Sequence, residues 1–129
     1  MKHDKYEVLE KSWGVEVKNV TDFDPVHIFE CGQCFRWNRE SNGSYTGVAK
    51  GMAVNVNYAD GVLQLENTSL KDFFNIWFDY FDLGRDYSEI KNMVAKDDIM
   101  KEAVSFGSGI RLLRQDFHET VISFIISAN

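Results

Sequence analysis

The sequence contains little proline, little cysteine and no long apolar segment. One proline and nine glycines in 129 residues give no sign of a fibrous or disordered chain. No run approaches the roughly 18 apolar residues that span a bilayer, and the first residues lack the apolar core of a signal peptide. We therefore expect a cytoplasmic protein with no membrane partner. In that compartment the two cysteines are not expected to form a structural disulfide.

An excess of basic residues is missing as well. The net charge is −6, so composition by itself does not indicate a nucleic-acid-binding protein. The acidic residues are concentrated between positions 66 and 102, where nine acids accompany five bases. We expect this acidic stretch to form solvated helix faces, and we expect a polyanion to contact the protein elsewhere.

The sequence does contain enough apolar residues for a core. Hydrophobic residues make up 44% of the chain and aromatic residues 14%, in a length that suits one domain or one domain plus the beginning of another. Alternation predicts strands, and three- to four-residue spacing predicts helices. The predicted strands are 5–10, 14–20, 35–39, 45–50, 52–58 and 62–66, and the predicted helices are 25–30, 70–81, 88–95, one from 97 or 98 to 106, and a final one capped by Asp116. The fold class is therefore α+β, with about five or six antiparallel strands and then helices.

Two of the predicted helices have distinctive apolar patterns. Residues 70–81 place six large apolar side chains at helical spacing, which predicts a face packed in the core rather than a cofactor site. In the final helix, Asp116 is the predicted N-cap and Glu119 follows three residues later, as in a capping box. Its apolar arc of roughly 200° is wider than the ~100° stripe of a surface helix. We expect either a truncated chain or a second domain or partner that covers this helix.

The most unusual stretch is 31–37, which reads Cys-Gly-Gln-Cys-Phe-Arg-Trp. Cys31 and Cys34 match the C-x-x-C pattern of redox pairs and zinc sites. A thioredoxin-type pair lies at a helix N-terminus inside a βαβ unit, whereas here a strand is predicted to follow. Zinc needs four ligands, and the sequence has no second C-x-x-C and no H-x-x-x-H. The remaining alternative is two buried thiols that pack as small apolar groups.

Two segments of the chain resemble the 8-oxoguanine DNA glycosylase family. Residues 32–37, Gly-Gln-Cys-Phe-Arg-Trp, are similar to the signature near the start of these enzymes. Residues 109–116, Gly-Ile-Arg-Leu-Leu-Arg-Gln-Asp, and 123–129, Ser-Phe-Ile-Ile-Ser-Ala-Asn, look like the opening of the family's helix-hairpin-helix domain. The matches have the family's order and spacing. The resemblance covers essentially the whole chain but only the N-terminal part of the family's length.

The resemblance implies a domain organisation and an activity. Residues 1–106 would form a TBP-like antiparallel sheet with helices, and residues 107–129 would begin the all-α helix-hairpin-helix glycosylase domain. The full-length enzyme would be a bifunctional DNA glycosylase and AP lyase that removes 8-oxoguanine from double-stranded DNA in base-excision repair, in the bacterial cytoplasm at the nucleoid. Its other partner would be the rest of the catalytic domain, and no cofactor or metal is implied. The family's catalytic lysine and aspartate would lie beyond Asn129, so the 129-residue chain is expected to be inactive alone.

The resemblance also implies two substrate-binding residues. The family flips the damaged nucleotide out of the duplex into a pocket. Gly32 corresponds to the glycine whose carbonyl accepts the N7 hydrogen that 8-oxoguanine carries and guanine lacks. Asn129 corresponds to the asparagine that fills the gap left by the flipped base and contacts the orphaned cytosine; a simple helix-ending asparagine is the alternative.

Other residues of the two segments have less specific expectations. Arg36 is expected to pair near the strand edge and Trp37 to lie in the core. Arg111 and Arg114 either reach a phosphate or make ion pairs at the start of the final helix.

Two further hypotheses come from other functional classes. One is a non-enzymatic thiol- or metal-binding module built on Cys31 and Cys34. The other is a bare DNA-binding domain, against which the acidic charge speaks.

Overall fold

The computed structural model describes residues 2–3 and 5–128, with only the backbone of residues 2 and 3. Within these residues, seven antiparallel strands form one sheet in the order β1-β2-β3-β7-β6-β5-β4. The strands are β1 (Lys2–His3), β2 (Tyr6–Lys11), β3 (Gly14–Lys18), β4 (Trp37–Arg39), β5 (Tyr45–Ala49), β6 (Met52–Ala59) and β7 (Val62–Glu66). The sheet has one strand more than expected because the two-residue β1 pairs with β2 at its edge.

One face of the sheet is buried, as the alternating pattern predicts. Val15 lies opposite Leu65 and Val17 opposite Leu63 in the β3–β7 pair, and all four side chains are completely buried. Since side chains alternate between the two faces of a strand, Glu16 and Lys18 lie on the other face. The sequence prediction of an inward-facing valine row is confirmed.

The helices follow the predicted positions closely. They are α1 (Pro25–Phe29), α2 (Leu70–Asp72), α3 (Phe78–Tyr80), α4 (Tyr87–Val94), α5 (Asp98–Phe106) and α6 (Phe117–Ser127), with a π-helical turn (Phe73–Trp77) that joins α2 to α3. Asp24, Ser69, Asp86, Asp97 and Asp116 cap α1, α2, α4, α5 and α6, each accepting hydrogen bonds from backbone N–H groups of the first turn. The chain therefore marks most helix starts with a local side-chain acceptor.

The continuous helix formed by residues 70–80 packs on the sheet and completes the core. Phe73, Trp77 and Phe81 are completely buried, as the spacing of residues 70–81 predicts. The indole Nε1 of Trp77 donates to Thr68 Oγ1 at 3.0 Å, so the polar atom of this buried ring has a partner. The π-helical turn in the middle of the helix has no signal in the sequence pattern.

In α5 and α6 the structure leaves apolar side chains uncovered. Phe117 is 82% exposed, Ile126 69% and Ile125 61%, and Phe106 at the end of α5 is 86% exposed. Neither helix contains a buried residue among those described. In the part of the chain that the structure describes, no helix is long and apolar enough to cross a membrane.

Candidate functional site

The loop 31–36 lies between Glu30, the C-cap of α1, and β4. The predicted strand 35–39 starts only at Trp37, so the residues before it form an irregular loop. Gly32 is exposed and has a φ of +88°, a conformation that side chains with a Cβ rarely adopt. Apart from the two neighbouring residues, a Cβ at this position would meet no atom of the described residues within 4 Å. Gly32 therefore presents bare backbone on an open surface.

The two cysteines of the loop differ in their environment. Cys31 is exposed, which makes the expectation of a buried thiol wrong for this residue, because it lies on the exposed turn 30–32 at the end of α1. Cys34 is half-buried and packs against the core, as expected. Burial, assisted by the neighbouring Cys31 thiol, raises the pKa of Cys34 to about 11. Among the described residues no group of three His, Cys, Asp or Glu side chains is placed to hold a metal ion. These features give the thiol- or metal-binding hypothesis no support.

The two thiols should differ in their reaction with a thiol reagent. At pH 8 a thiol of pKa about 11 is deprotonated in only about one molecule in a thousand, and the thiolate is the nucleophile. With 5,5′-dithiobis(2-nitrobenzoate), we expect Cys31→Ser, which retains Cys34, to react about 100-fold more slowly than Cys34→Ser. Two fast thiols, or one equivalent of bound zinc, would instead support the thiol module.

Gln33 connects the loop to two other parts of the chain. Its side-chain Nε2 donates to the carbonyl of Ile28 at 2.9 Å and to the carbonyl of Arg111 at 2.8 Å. Its Oε1 accepts from the backbone N–H of Leu113 at 3.0 Å, and its own backbone carbonyl accepts from Gln115 Nε2. The two segments that resemble the glycosylase family, about 75 residues apart in the sequence, are thus hydrogen-bonded to each other through the side-chain amides of Gln33 and Gln115.

The segment 109–115 lies against the start of α1. The Asp24 N–H donates to the Gly109 carbonyl at 2.9 Å, and the Gly109 N–H donates to His27 Nδ1 at 3.2 Å. A Cβ on Gly109 would lie 2.2 Å from the Asp24 Cβ, closer than any real contact. The approach of the two backbones therefore requires glycine at this position.

Arg111 is completely buried, which rules out the phosphate contact that was one expectation for it. Its Nη1 donates to the Asp82 carbonyl at 2.9 Å and its Nη2 to the Thr21 carbonyl at 2.8 Å. The guanidinium also lies 4.6 Å from the centre of the Tyr87 ring, a cation–π distance. Among the described residues Arg111 makes no ion pair either, because the partners given above are carbonyls and an aromatic ring.

Arg114 makes the ion pairs that the alternative expected. Its Nε lies 3.0 Å from Asp82 Oδ1, and its Nη1 lies 3.3 Å from Asp79 Oδ1. The hydrogen bond with Asp82 raises the pKa of Arg114 further above its usual value. Asp82 is buried and also accepts from the Tyr87 hydroxyl at 2.8 Å, so this acid departs from the expected solvated helix face.

The start of α6 contacts the loop 31–36 through exposed side chains. Asp116 Oδ1 accepts from the Glu119 N–H at 2.9 Å, which confirms the predicted N-cap. The Glu119 carboxylate accepts from Arg36 Nη1 at 3.1 Å, so Arg36, which directly precedes the edge strand β4, pairs with the start of α6. Phe35 meets Phe124 edge to face with ring centres 5.0 Å apart.

Trp37 lies at the border of the core, partly buried. Its ring stacks on Phe29 with centres 4.2 Å apart, and its Nε1 donates to the Tyr80 hydroxyl at 3.0 Å. Burial raises the pKa of Tyr80 to about 12, so its hydroxyl remains protonated at neutral pH. Trp37 therefore packs against the core but is only partly buried, whereas a position inside the core was expected. Asn129, the second predicted substrate-binding residue, lies outside the described residues.

Three residues that organise this region have no specific prediction from the sequence. Gln33 belongs to the segment that resembles the family signature, but three of its four hydrogen bonds depend on a segment about 80 residues away. Asp82 and Tyr87 fall in the acidic stretch and look like ordinary surface residues there. The one sequence feature that could have indicated the burial of Asp82 is its position directly after the apolar stripe of residues 70–81.

Comparison with known proteins shows what the chain is similar to. The sequence model of the 8-oxoguanine DNA glycosylase N-terminal domain matches residues 16–121. The structure of MBOgg1 in complex with a low-affinity DNA ligand is 56% identical, with a TM-score of 0.94 over 97% of this chain and 43% of that one. Two structures of the Clostridium acetobutylicum 8-oxoguanine glycosylase/lyase, apo and bound to double-stranded DNA with cytosine opposite 8-oxoguanine, are each 46% identical with a TM-score of 0.91 over the whole chain.

The matched proteins are longer than this chain, which covers 45% of the apo Clostridium acetobutylicum structure and 44% of its DNA complex. No curated protein sequence matches it. The match to the domain model covers most of the chain, and both signature segments lie side by side in the fold. The chain therefore belongs to the 8-oxoguanine DNA glycosylase family and contains that family's N-terminal domain.

Proposed function

We propose that the chain is the N-terminal part of a bifunctional DNA glycosylase and AP lyase that excises 8-oxoguanine from double-stranded DNA in base-excision repair. The observation that carries the proposal is the 46% identity, over the whole chain, to an 8-oxoguanine glycosylase/lyase whose structure was solved on DNA with cytosine opposite 8-oxoguanine. The working compartment would be the bacterial cytoplasm, at the nucleoid. Excision of 8-oxoguanine from a duplex by the full-length protein is the direct test.

Within this proposal the Gly32 carbonyl distinguishes 8-oxoguanine from guanine. The lesion carries a hydrogen at N7 and can donate to a carbonyl, whereas guanine presents a lone pair there. When a flipped guanine covers the carbonyl, this acceptor is buried and stays unpaired, at a cost of about 1–3 kcal/mol. The exposed position of Gly32 and its lack of a side chain support this role because a base can approach the backbone closely.

The rest of the active site is proposed to lie in the helix-hairpin-helix domain. In this scheme residues 107–129 begin that domain, and Asn129 contacts the cytosine left unpaired by the flipped base. The uncovered apolar side chains of α6 support this assignment, since a packed domain would bury them. The family's lysine, beyond Asn129, would attack C1′ as the glycosidic bond breaks, and the resulting Schiff base would undergo β-elimination.

The 129-residue chain should form no covalent adduct with DNA. We expect borohydride to trap a Schiff base between the full-length protein and an 8-oxoguanine duplex, because the lysine nucleophile is then present. The same treatment of residues 1–129 should leave the DNA free. Adduct formation by the short chain would mean that one of its own lysines is the nucleophile.

Gly32→Ala should lower the kcat/KM of the full-length enzyme for 8-oxoguanine about tenfold, equivalent to about 1.4 kcal/mol. A Cβ beside the carbonyl obstructs the base, and the φ of +88° is strained for alanine. Gly43→Ala is the matched control, because Gly43 has a φ of +87° and equally open surroundings on the hairpin before β5. Equal activity of the two variants would remove Gly32 from the site.

A further inference from the structure

The side chain of Gln33 is held from three directions. Its two Nε2 hydrogens go to the carbonyls of Ile28, in α1, and Arg111, and its Oε1 accepts from the N–H of Leu113. On the main chain, the Gln33 carbonyl accepts from the Gln115 side chain. Gln33 is therefore fixed both at its side chain and at its backbone.

This fixation acts on the carbonyl of Gly32 through the peptide bond. The Gly32 carbonyl and the Gln33 N–H belong to one planar group that ends at the Gln33 Cα. When Gln33 is held in place, this peptide plane can rotate only through ψ of Gly32 and φ of Gln33. Gly32 itself offers little resistance to such turning because it has no Cβ, and the position that a Cβ would occupy has open space around it.

The other side chains of the loop provide weaker restraint. Cys31 and Cys34 contact carbonyls of α1 through sulfur at 3.5 and 3.7 Å, and a thiol is a weak donor. Arg36 is half exposed and pairs with an exposed glutamate, an arrangement that holds geometry poorly. Gln33 is the loop side chain with hydrogen bonds both to α1 and to the segment 109–115.

We propose that Gln33 is a positioning residue that sets the direction of the Gly32 carbonyl and thereby the discrimination between 8-oxoguanine and guanine. The inference rests on the proposed function of Gly32. Gln33 touches neither the base nor the reacting atoms in this scheme. Its effect passes through the orientation of the neighbouring peptide plane.

The test measures the affinity of the full-length protein for two duplexes that carry 2′-fluoro nucleotides, which resist loss of the base. One duplex contains 8-oxoguanine opposite cytosine and the other contains guanine. The ratio of the two dissociation constants reports discrimination, and it is measured well below the melting temperature of each variant. A role limited to stability would lower the melting temperature and leave this ratio unchanged.

Four variants separate the contributions. We expect Gln33→Ala to reduce the ratio about tenfold, and Gln115→Ala, which removes only the bond to the Gln33 carbonyl, to reduce it less. Gln33→Glu keeps an acceptor for the Leu113 N–H but loses both donors, so a carboxylate would face two carbonyls. Gln64→Ala is the matched control, since Gln64 lies on the outer face of the sheet and pairs with Asn57.

The pH dependence of Gln33→Glu tests the hydrogen bonds directly. A protonated glutamic acid regains one donor. The discrimination ratio of Gln33→Glu, divided by the wild-type ratio at the same pH, should therefore rise as the pH falls from 8 to 5.5. The ratio of Gln33→Ala should not respond. Wild-type ratios in both Gln33 variants, or a pH-independent loss in Gln33→Glu, would overturn the inference. A wild-type protein without preference for 8-oxoguanine would instead refute the proposed function itself.

Discussion

Arg111→Met should lower the free energy of unfolding by about 3 kcal/mol. The substitution removes the guanidinium hydrogen bonds to the Asp82 carbonyl, which keeps the Arg85 N–H as a donor, and to the partly buried Thr21 carbonyl. Hydrogen bonds of a charged group contribute about 1.5–3 kcal/mol each, and the cation–π contact with Tyr87 is lost as well. Burial of the guanidinium, whose Nε has no hydrogen-bond partner among the described residues, offsets part of the stabilisation that Arg111 provides in the wild type. Urea denaturation monitored by tryptophan fluorescence measures the difference.

Two further arginine variants define the cause of the loss. Arg36→Met removes an exposed ion pair with Glu119 and should change stability by less than about 1 kcal/mol. Arg111→Lys keeps the charge but lacks the planar fork that reaches two carbonyls, so we expect an intermediate loss. Equal stability of the two methionine variants would show that Arg111 does not hold the segment 109–115 to the sheet domain.

Gly109→Ala should destabilise the protein by about 3 kcal/mol. The new methyl group would lie 2.2 Å from the Asp24 Cβ and 2.7 Å from the Asp24 nitrogen, and backbone on both sides leaves little room to adjust. The hydrogen bonds of Gly109 with Asp24 and His27 would lengthen or break as the two chain segments move apart. Thermal unfolding followed by circular dichroism gives the magnitude.

Gly84→Ala is the matched control for this substitution. The nearest atom to its Cβ would be Phe78 Cε1 at 3.4 Å, an ordinary contact, so a change within about 0.5 kcal/mol is expected. Hydrogen exchange adds a local readout, because the amides of Leu113 and Arg114 donate to Gln33 and to the Tyr80 carbonyl. Unchanged protection of these amides in Gly109→Ala would contradict the steric argument.

Local sequence signals predicted the regular elements well, for reasons that lie within a few residues. The strands β2, β3, β5, β6 and β7 and the helices α1, α4, α5 and α6 begin within one residue of their predicted positions. Asp116 and Asp97 mark helix starts because a carboxylate accepts from N–H groups two or three residues away. The row of Val15, Val17 and Val20 is buried because alternation decides which face each residue occupies.

The errors concern polar residues whose surroundings in the fold the local sequence pattern does not reveal. Cys31 looked like a packing residue but is exposed, and Asp82 looked solvated but is buried beside Tyr87 and Arg114. The start of β4 was predicted two residues early, because alternation in 35–39 does not reveal that Arg36 pairs with a helix far along the chain. None of these contacts leaves a periodic pattern.

The sequence by itself determined the α+β class, the positions of the strands and helices, and the family to which the two signature segments belong. Only the tertiary structure decided that Arg111 is buried against carbonyls and that Gln33 joins the signature segments to each other. The physical reason is the range of the interactions. Backbone periodicity and capping act over a few residues, whereas the partner of a buried polar group is set by whichever segment the folded core brings beside it.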